Sequence, residues 1–250
     1  MLTPERQQII LDLLNDQHTV KLHELVEATN ASESTIRRDL QQLEKETLLK
    51  RVHGGASILH QKSEELSVPE KSTQHLSQKK QIAELAASFI RPGDCIFIDA
   101  GTTTSQLIPF LKDKQVIVVT NGISLIDALL ECGIEAYVTG GFAKPRTRAL
   151  IGSKAIAGIS GYRFDKCFIG TNGIHSVHGY TTPDPEEAAI KEKALELSQE
   201  RYILADASKL NETTFTKFAD IQEASIITDE TNQDILYPLQ QKTKVKVVSS

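Results

Sequence analysis

Residues 32–40 read Ser32-Glu33-Ser34-Thr35-Ile36-Arg37-Arg38-Asp39-Leu40, and residues 48–56 read Leu48-Leu49-Lys50-Arg51-Val52-His53-Gly54-Gly55-Ala56. In the first stretch and just beyond it, Ile36, Leu40 and Leu43 recur at spacings of four and three, which predicts a helix with a single buried stripe. Ser32 is placed to cap that helix, and Glu33 stands favourably in its first turn. The helical pattern fades by Thr47, and the second stretch suits two short strands around a glycine turn. Upstream, Thr3 is a candidate cap ahead of Pro4, and Ile9, Ile10, Leu13 and Leu14 share one face of a first helix. Leu22, Leu25 and Val26 form a shorter second stripe, ended by Thr29-Asn30-Ala31. Three helices with a short second-to-third connection, then a glycine-turn hairpin, describe a winged helix-turn-helix over residues 1–58.

With the stripe of the third helix turned inward, Ser34, Thr35, Arg37 and Arg38 are left outward beside Ser32, where a recognition helix presents side chains to base edges. Lys50, Arg51 and His53 on the hairpin would touch the flanking backbone. Asp39 is expected to orient a neighbouring arginine, since a carboxylate facing phosphates is repelled. The whole chain of 250 residues carries a formal net charge of −5, which taken alone argues against a polyanionic partner. Counted by segment the picture changes. Residues 1–33 set Arg6 and Lys21 against six carboxylates, net −4, whereas residues 34–57 set five basic residues against three acidic ones, net +2. The positive end coincides with the reading helix and wing. The pattern alone leaves open that these charges only solvate a helical bundle.

Residues 59–76 read as a linker, because Gln61 to Leu76 mixes Lys, Glu, Ser, Thr and Pro69 without sustained apolar periodicity. From residue 77 to 250 the pattern becomes alternating apolar runs and helical stretches. The strand candidates are 95–99, 116–120, 134–139, 166–169, 202–206, 225–228 and 244–248, with amphipathic segments at 79–89, 105–111, 124–131 and 186–200 between several of them. That order predicts a mostly parallel α/β sheet. Several strand candidates end in small polar residues and glycine: Asp99, Gly101, Thr102, Thr103 and Thr104; Asn121; Gly140 and Gly141; Gly170, Thr171 and Asn172; Asp206 and Lys209. In a parallel sheet these ends share one edge, where open α/β sheets bind ligands. Glycine admits close backbone approach, and hydroxyls with free N–H groups cradle phosphate. The other reading is that these are only tight strand-to-helix turns. Neither a G-x-x-x-x-G-K-[ST] loop nor a G-x-G-x-x-G fingerprint occurs.

The two amino-terminal stretches together resemble the DNA-binding signature of the DeoR family of bacterial transcriptional repressors, and within that family the opening Met1-Leu2-Thr3-Pro4-Glu5-Arg6 and the run through Gly55 most resemble the fructose-operon repressors of Gram-positive bacteria. The second half resembles that family's sugar-phosphate-sensing domain, which is similar in fold to ribose-5-phosphate isomerase. An ADASK motif closes the isomerase site, and here it reads Ala205-Asp206-Ala207-Ser208-Lys209. Counting back from it without a gap, the isomerase's catalytic glutamate falls on Lys191 and one of its site aspartates on Asn172. An ammonium cannot serve as a general base near neutral pH unless its pKa is strongly lowered, so the resemblance implies a retained pocket for an anionic sugar without the enolisation chemistry. Lys191 would add positive charge there, or it is a solvated helix lysine. Arg148 is a candidate phosphate clamp, with Arg146 as its alternative and surface charge as the third reading.

The resemblance thus implies a repressor of a sugar-utilisation operon, released from operator DNA by fructose 1-phosphate, with no catalytic residues and no cofactor. A repressor for another sugar phosphate, such as tagatose 6-phosphate, and a sugar-phosphate isomerase with a fused helical domain are the alternatives. One DNA-reading module offers little interface, so a homo-oligomer is expected. No apolar run approaches the roughly 18 residues of a membrane span, and the amino terminus lacks the order of a signal peptide. The expectation is a cytoplasmic protein without a membrane partner. Cys95, Cys132 and Cys167 share no metal spacing and read as reduced core thiols. His175 and His178 have no third ligand suggested nearby and read as polar loop residues.

Overall fold

The computed structural model describes residues 2–17, 19–46, 48–52, 54–58 and 67–248. The chain divides into two compact units, Met1–Gln61 and Lys62–Ser250. In the first, α1 (Thr3–Gln17), α2 (Leu22–Thr29) and α3 (Glu33–Lys45) enclose Ile10, Leu14, Leu25, Ile36, Leu40 and Leu43. Asn30 ends α2 in the left-handed conformation that asparagine tolerates. Two residues later the Ser32 hydroxyl caps α3 by accepting from the Thr35 N–H. A short strand, β1 (Thr19–Lys21), joins the expected hairpin of β2 (Leu49–Val52) and β3 (Gly55–Ile58), and the three pair in the order β1-β3-β2. Glycine is required at Gly55, where a Cβ would lie 2.1 Å from the Val20 carbonyl oxygen. Asp39 is buried and accepts from Arg6, with Nε at 2.5 Å and the second guanidinium contact at 3.1 Å. The arginine it orients therefore belongs to α1 and pins α1 to α3.

The second unit begins with α4 (Val68–Thr73) and α5 (Leu76–Ala87), followed by β4 (Cys95–Ile98), a 3₁₀ helix (Thr104–Leu111) and β5 (Ile117–Thr120). Next come a 3₁₀ turn (Ile123–Leu125), α6 (Ile126–Glu131), β6 (Glu135–Val138), a two-residue hairpin of β7 (Phe142–Ala143) and β8 (Leu150–Ile151), and α7 (Ser153–Ser160). The chain continues through β9 (Phe164–Gly170), β10 (Gly173–His175), β11 (Gly179–Thr182), α8 (Pro185–Glu196) and β12 (Ser198–Leu204). It closes with β13 (Thr216–Ala219), β14 (Ser225–Thr228), α9 (Gln233–Gln240) and β15 (Val245–Val247), with single 3₁₀ turns before β13 and before β14.

Among the described residues, the seven strands expected from sequence make one parallel sheet in the order β15-β14-β12-β9-β4-β5-β6. Strand alternation sorts its side chains into two cores. Ile96, Ile98, Val118, Phe168, Leu204 and Ile227 pack with α5 on one face, and Phe97, Val119, Ile169, Ile203 and Ile226 pack with α7 and α8 on the other. The order of connection reverses between β9 and β4, since β5 and β6 lie to one side of β4 and β12, β14 and β15 to the other side of β9.

Three expectations need correction. The amphipathic stretch 186–200 ends early, because α8 stops at Glu196 and Ser198 already begins β12, with its hydroxyl donated back to the Ala194 carbonyl. Val68–Thr73, inside the stretch read as linker, forms α4 with a capping box between Ser67 and Glu70. The region around His175 and His178 is not a plain loop: β10 and β11 form an antiparallel sheet with β13, and fully buried Tyr180 donates its hydroxyl to the Ile221 and Ala224 carbonyls.

Candidate functional site

On α3, Ser34, Arg37 and Arg38 are exposed and Thr35 is half-buried. The Ser32 hydroxyl lies 3.0 Å from the Ser34 hydroxyl and 2.8 Å from that of Thr35, so the cap also fixes the hydroxyl row at the helix start. Arg37 meets Glu33 at 3.4 Å in a solvent-exposed pair worth little energetically, and its guanidinium stays accessible. Arg51 is exposed on β2, where its N–H is held by Glu44 at 2.8 Å. Lys50 lies on β2, but its side chain falls outside the described residues, as does His53.

The second cluster lies where β4, β9 and β12 end, beside the reversal of strand order, the place where open parallel sheets hold ligands. Asp99, immediately after β4, is buried and accepts from the Gly170 N–H at 3.0 Å and from Lys191 of α8. Lys191 also donates to the Gly170 carbonyl at 3.0 Å. It is buried and ion-paired, which rules out the solvated helix lysine. After Asp99 the chain turns tightly. The Thr104 hydroxyl lies 2.7 Å from the Asp99 carbonyl and accepts from the Gly101 N–H, and Asn121 accepts from the Ala100 N–H at 2.9 Å. The Thr102 and Thr103 N–H groups that follow have no hydrogen-bond partner among the described residues, and both residues line the cleft. Asp206 caps the turn that carries Lys209. Burial pushes the Asp206 carboxyl up, but Lys209, the Ser208 hydroxyl and His75 outweigh it and hold the group below the usual carboxylate range.

Ten of the residues expected at the ligand site line this cleft: Asp99, Gly101, Thr102, Thr103, Gly170, Thr171, Asn172, Lys191, Asp206 and Lys209. Five stand apart from it. Thr104 and Asn121 are buried behind the lining and hold its first loop. Gly140 and Gly141 have positive φ in a turn after β6, and a Cβ on Gly141 would lie 2.5 Å from the Ile151 carbonyl oxygen. Their glycines thus answer to the turn. Arg148 is exposed with a left-handed φ of 53°, and Arg146 contributes its carbonyl to the Val68 N–H.

Sequence reasoning missed several residues that complete the lining. Thr147, between the two arginines, turns inward and donates to Glu187 at 2.7 Å. Glu187 sits one turn before Lys191 on the same face of α8, and Lys144 also donates to it at 2.8 Å. Lys79 of α5 is buried and donates to the Lys71 carbonyl at 2.5 Å and the Thr102 hydroxyl at 3.1 Å. Desolvation lowers its pKa from 10.5 to about 8; Asp206 opposes the shift, and Lys209 and Lys71 add to it. Lys71, Gln74 and His75 complete this wall. Only the i, i+4 spacing of Glu187 and Lys191 was visible beforehand as a signal.

The charges decide what the cleft accepts. Lys191 is balanced by Asp99, and just outside the lining Lys144 is shared between Glu187 and Asp184. Lys79 and Lys209 then stand against Asp206. An anion is favoured, and the Thr102 and Thr103 amides supply directional donors for it. His175 stacks on His178 with ring centroids 4.6 Å apart, and its Nδ1 accepts two backbone N–H groups. No group of three or more metal-ligating side chains occurs among the described residues, nor is any described helix long and apolar enough to cross a membrane.

Comparison with known proteins matches residues 6–62 to the DeoR-like helix-turn-helix domain and residues 74–230 to the DeoR C terminal sensor domain. The uncharacterized HTH-type transcriptional regulator FruR of Bacillus subtilis is 50% identical over 249 residues, covering 99% of each chain. GlpR of Haloferax volcanii, an HTH-type transcriptional regulator, is 37% identical across 92% of this chain and 91% of its own. A lactose phosphotransferase system repressor of Staphylococcus aureus is 32% identical across 98% of each. Among solved structures, ribose 5-phosphate isomerase A of Methanocaldococcus jannaschii aligns with a TM-score of 0.42 and 14% identity, over 54% of this chain and 55% of that one. Matched in both of its units and aligned along nearly its whole length with these regulators, the chain belongs to the DeoR family of transcriptional regulators.

Proposed function

We propose that this chain represses a sugar-utilisation operon, specifically one for fructose, and leaves its operator when fructose 1-phosphate occupies the cleft. Residues 1–58 act as the DNA-binding domain and 77–250 as the sensor, and 59–76 join them, with α4 at the sensor end. Ser34, Thr35, Arg37 and Arg38 meet base edges and phosphates, supported by the Ser32 cap, with Lys50, Arg51 and His53 on the flanking backbone. The observation that carries the sensor assignment is the cluster of Lys79, Lys209 and Lys71 around the Thr102 and Thr103 amides at the sheet's switch point. The choice of fructose rests on the resemblance of the amino-terminal residues to the fructose-operon repressors.

A binding role fits the cleft better than isomerisation. Each carboxylate in the lining already serves a cation or a cap: Asp99 with Lys191, Glu187 with Lys144, and Asp206 with Ser208 and Lys209. A general base must instead be poised to take a proton near the working pH. The protein works as a homo-oligomer, because two half-sites supply the interface that one module lacks.

Thermal-shift screening with fructose 1-phosphate, fructose 6-phosphate, tagatose 6-phosphate and glycerol 3-phosphate tests the ligand. A ligand at 100 times its dissociation constant stabilises by about 2.7 kcal/mol. The expected result is a shift with fructose 1-phosphate and release of a gel-shifted operator fragment. A shift with tagatose 6-phosphate alone would move the assignment to a lactose-type operon, and turnover at an ordinary enzyme rate in a coupled assay would overturn the repressor reading.

A further inference from the structure

α4 covers one side of the cleft without an apolar anchor. None of its residues is buried, which is unusual for a helix that forms a wall of a pocket. Its backbone is tied to the rest of the sensor unit by the Val68 N–H, which donates to the Arg146 carbonyl at 3.1 Å, and by the Lys71 carbonyl, which accepts from the Lys79 ammonium at 2.5 Å. Its joint with α5 is His75, a non-glycine residue at φ 52°. A helix with so little buried apolar surface lies at the low end of local stability. Yet Lys71, Gln74 and His75 all line the cleft, and the ammonium that holds Lys71 also holds Thr102, at the start of the amide pair that would bind the anion.

We infer that α4 is the effector-reading strap of the sensor: an anionic sugar bound on the Thr102 and Thr103 amides is gripped by Lys79 from below and by Lys71, Gln74 and His75 from α4, and this fixes the strap over the ligand. The inference rests on the sugar-phosphate reading of the cleft. A ligand shifts an equilibrium only through contacts that differ between its two states, and α4 is where such contacts are added, because none of its residues is buried in the unit. Along the chain, α4 is the first described element after residues 59–66, which lead back to the helix-turn-helix unit. Ordering or loosening it changes the end of the connection through which the DNA-reading unit is tethered, so the contacts that grip the ligand are also the contacts that report it.

Hydrogen–deuterium exchange of the full chain, with and without saturating fructose 1-phosphate, or whichever panel sugar phosphate gives a thermal shift, tests the strap. Amides of residues 68–76 should exchange at least tenfold more slowly with the ligand, while the β10 and β11 amides stay unchanged. The second measurement uses the Lys71→Ala, Gln74→Ala double variant at ligand concentrations that saturate it. The ratio of operator affinities without and with ligand should fall by about tenfold, equal to about 1.4 kcal/mol of coupling. A thermal shift without slower exchange in residues 68–76, or with an undiminished coupling ratio in the double variant, overturns the strap alone. Absence of a shift with every sugar phosphate overturns the sensor reading and the strap with it.

Discussion

Replacing Lys191 by methionine removes the cation that Asp99 faces inside the sensor unit while keeping the side chain's length. Both groups are nearly inaccessible, with side-chain exposures of 6% for Lys191 and 2% for Asp99. What remains for the Asp99 carboxylate is the Gly170 N–H. Breaking a buried pair from one side costs about 3–5 kcal/mol, because an uncompensated charge stays behind. For a unit of this size, each kcal/mol lowers the melting temperature by about 2–4 °C, so Lys191→Met should lose roughly 6–20 °C. A solvated surface lysine would change stability by less than about 0.5 kcal/mol. The double variant Lys191→Met, Asp99→Asn removes both charges and retains an acceptor for the Gly170 N–H, so it should recover at least half of the loss. Differential scanning calorimetry of wild type, both single variants and the double variant gives the coupling directly. A single variant within about 1 kcal/mol of wild type, or a double variant as damaged as the two singles added, would refute the buried pair. The same logic warns that a lost inducer response in a Lys191 variant does not by itself make Lys191 a ligand contact.

Arg37→Ala and Arg38→Ala should each weaken specific operator binding in gel shifts by the equivalent of about 1–3 kcal/mol per lost base contact, with the ligand thermal shift intact; undiminished affinity in both removes these residues from the interface. Lys79 is the cation a phosphate needs, and with its pKa near 8 it is mostly charged at pH 7.5 and mostly neutral at pH 9. With Lys79 facing Asp206, Lys209 and Lys71, and a bound phosphate holding its proton, affinity for the sugar phosphate should fall about eightfold from pH 7.5 to 9; calorimetric titration should show Lys79→Met to be weaker but flat over that range. Gly55→Ala drives a methyl toward the Val20 carbonyl at the β1–β3 crossing and should destabilise the helix-turn-helix unit by about 1–3 kcal/mol; an unchanged melting profile would show that the crossing opens freely.

What was legible follows from what each element buries. The inner strands of the parallel sheet are covered on both faces, so they stand out as apolar runs such as Ile96-Phe97-Ile98 and Val118-Val119, whereas the edge strands β6 and β15 stay partly exposed. β10, β11 and β13 are three or four residues long and find partners across distant sequence, as in the pairing of Tyr180 with Ala219, so local pattern carries little of them. β1 is equally short and is fixed by Gly55, thirty-four residues after Lys21. α7 and α9 went unread for chemical reasons. Gly158 sits inside the first, where a Cβ would come 2.0 Å from the Thr139 carbonyl oxygen, and Pro238 lies inside the second. Helix α4 is short and buries nothing, so it has no stripe to read.

The site divides along the same line. Residues that end a strand, Asp99, Gly170 and Asp206, could be placed because parallel strands bring their ends to one edge whatever the details of the loops. Lys79, Thr147 and Glu187 reach the cleft by tertiary contact, and sequence spacing does not reveal it. Lys79 in particular belongs to a helix whose pattern would send a lysine to solvent, and it is buried because α4 lies over it and offers the Lys71 carbonyl. Arginine, chosen from sequence as the phosphate clamp for its fixed charge, is absent from the lining; the cations there are lysines. That difference has a consequence. An arginine would hold an anion at any physiological pH, whereas a desolvated lysine holds it only while protonated and adjusts its charge to occupancy. The net charge of −5 hides this just as it hides the basic reading helix: within the cleft Lys191 is paired with Asp99 and Glu187 with Lys144, and the lysines that line it beside Thr102 and Thr103, rather than the total, set what the cleft attracts.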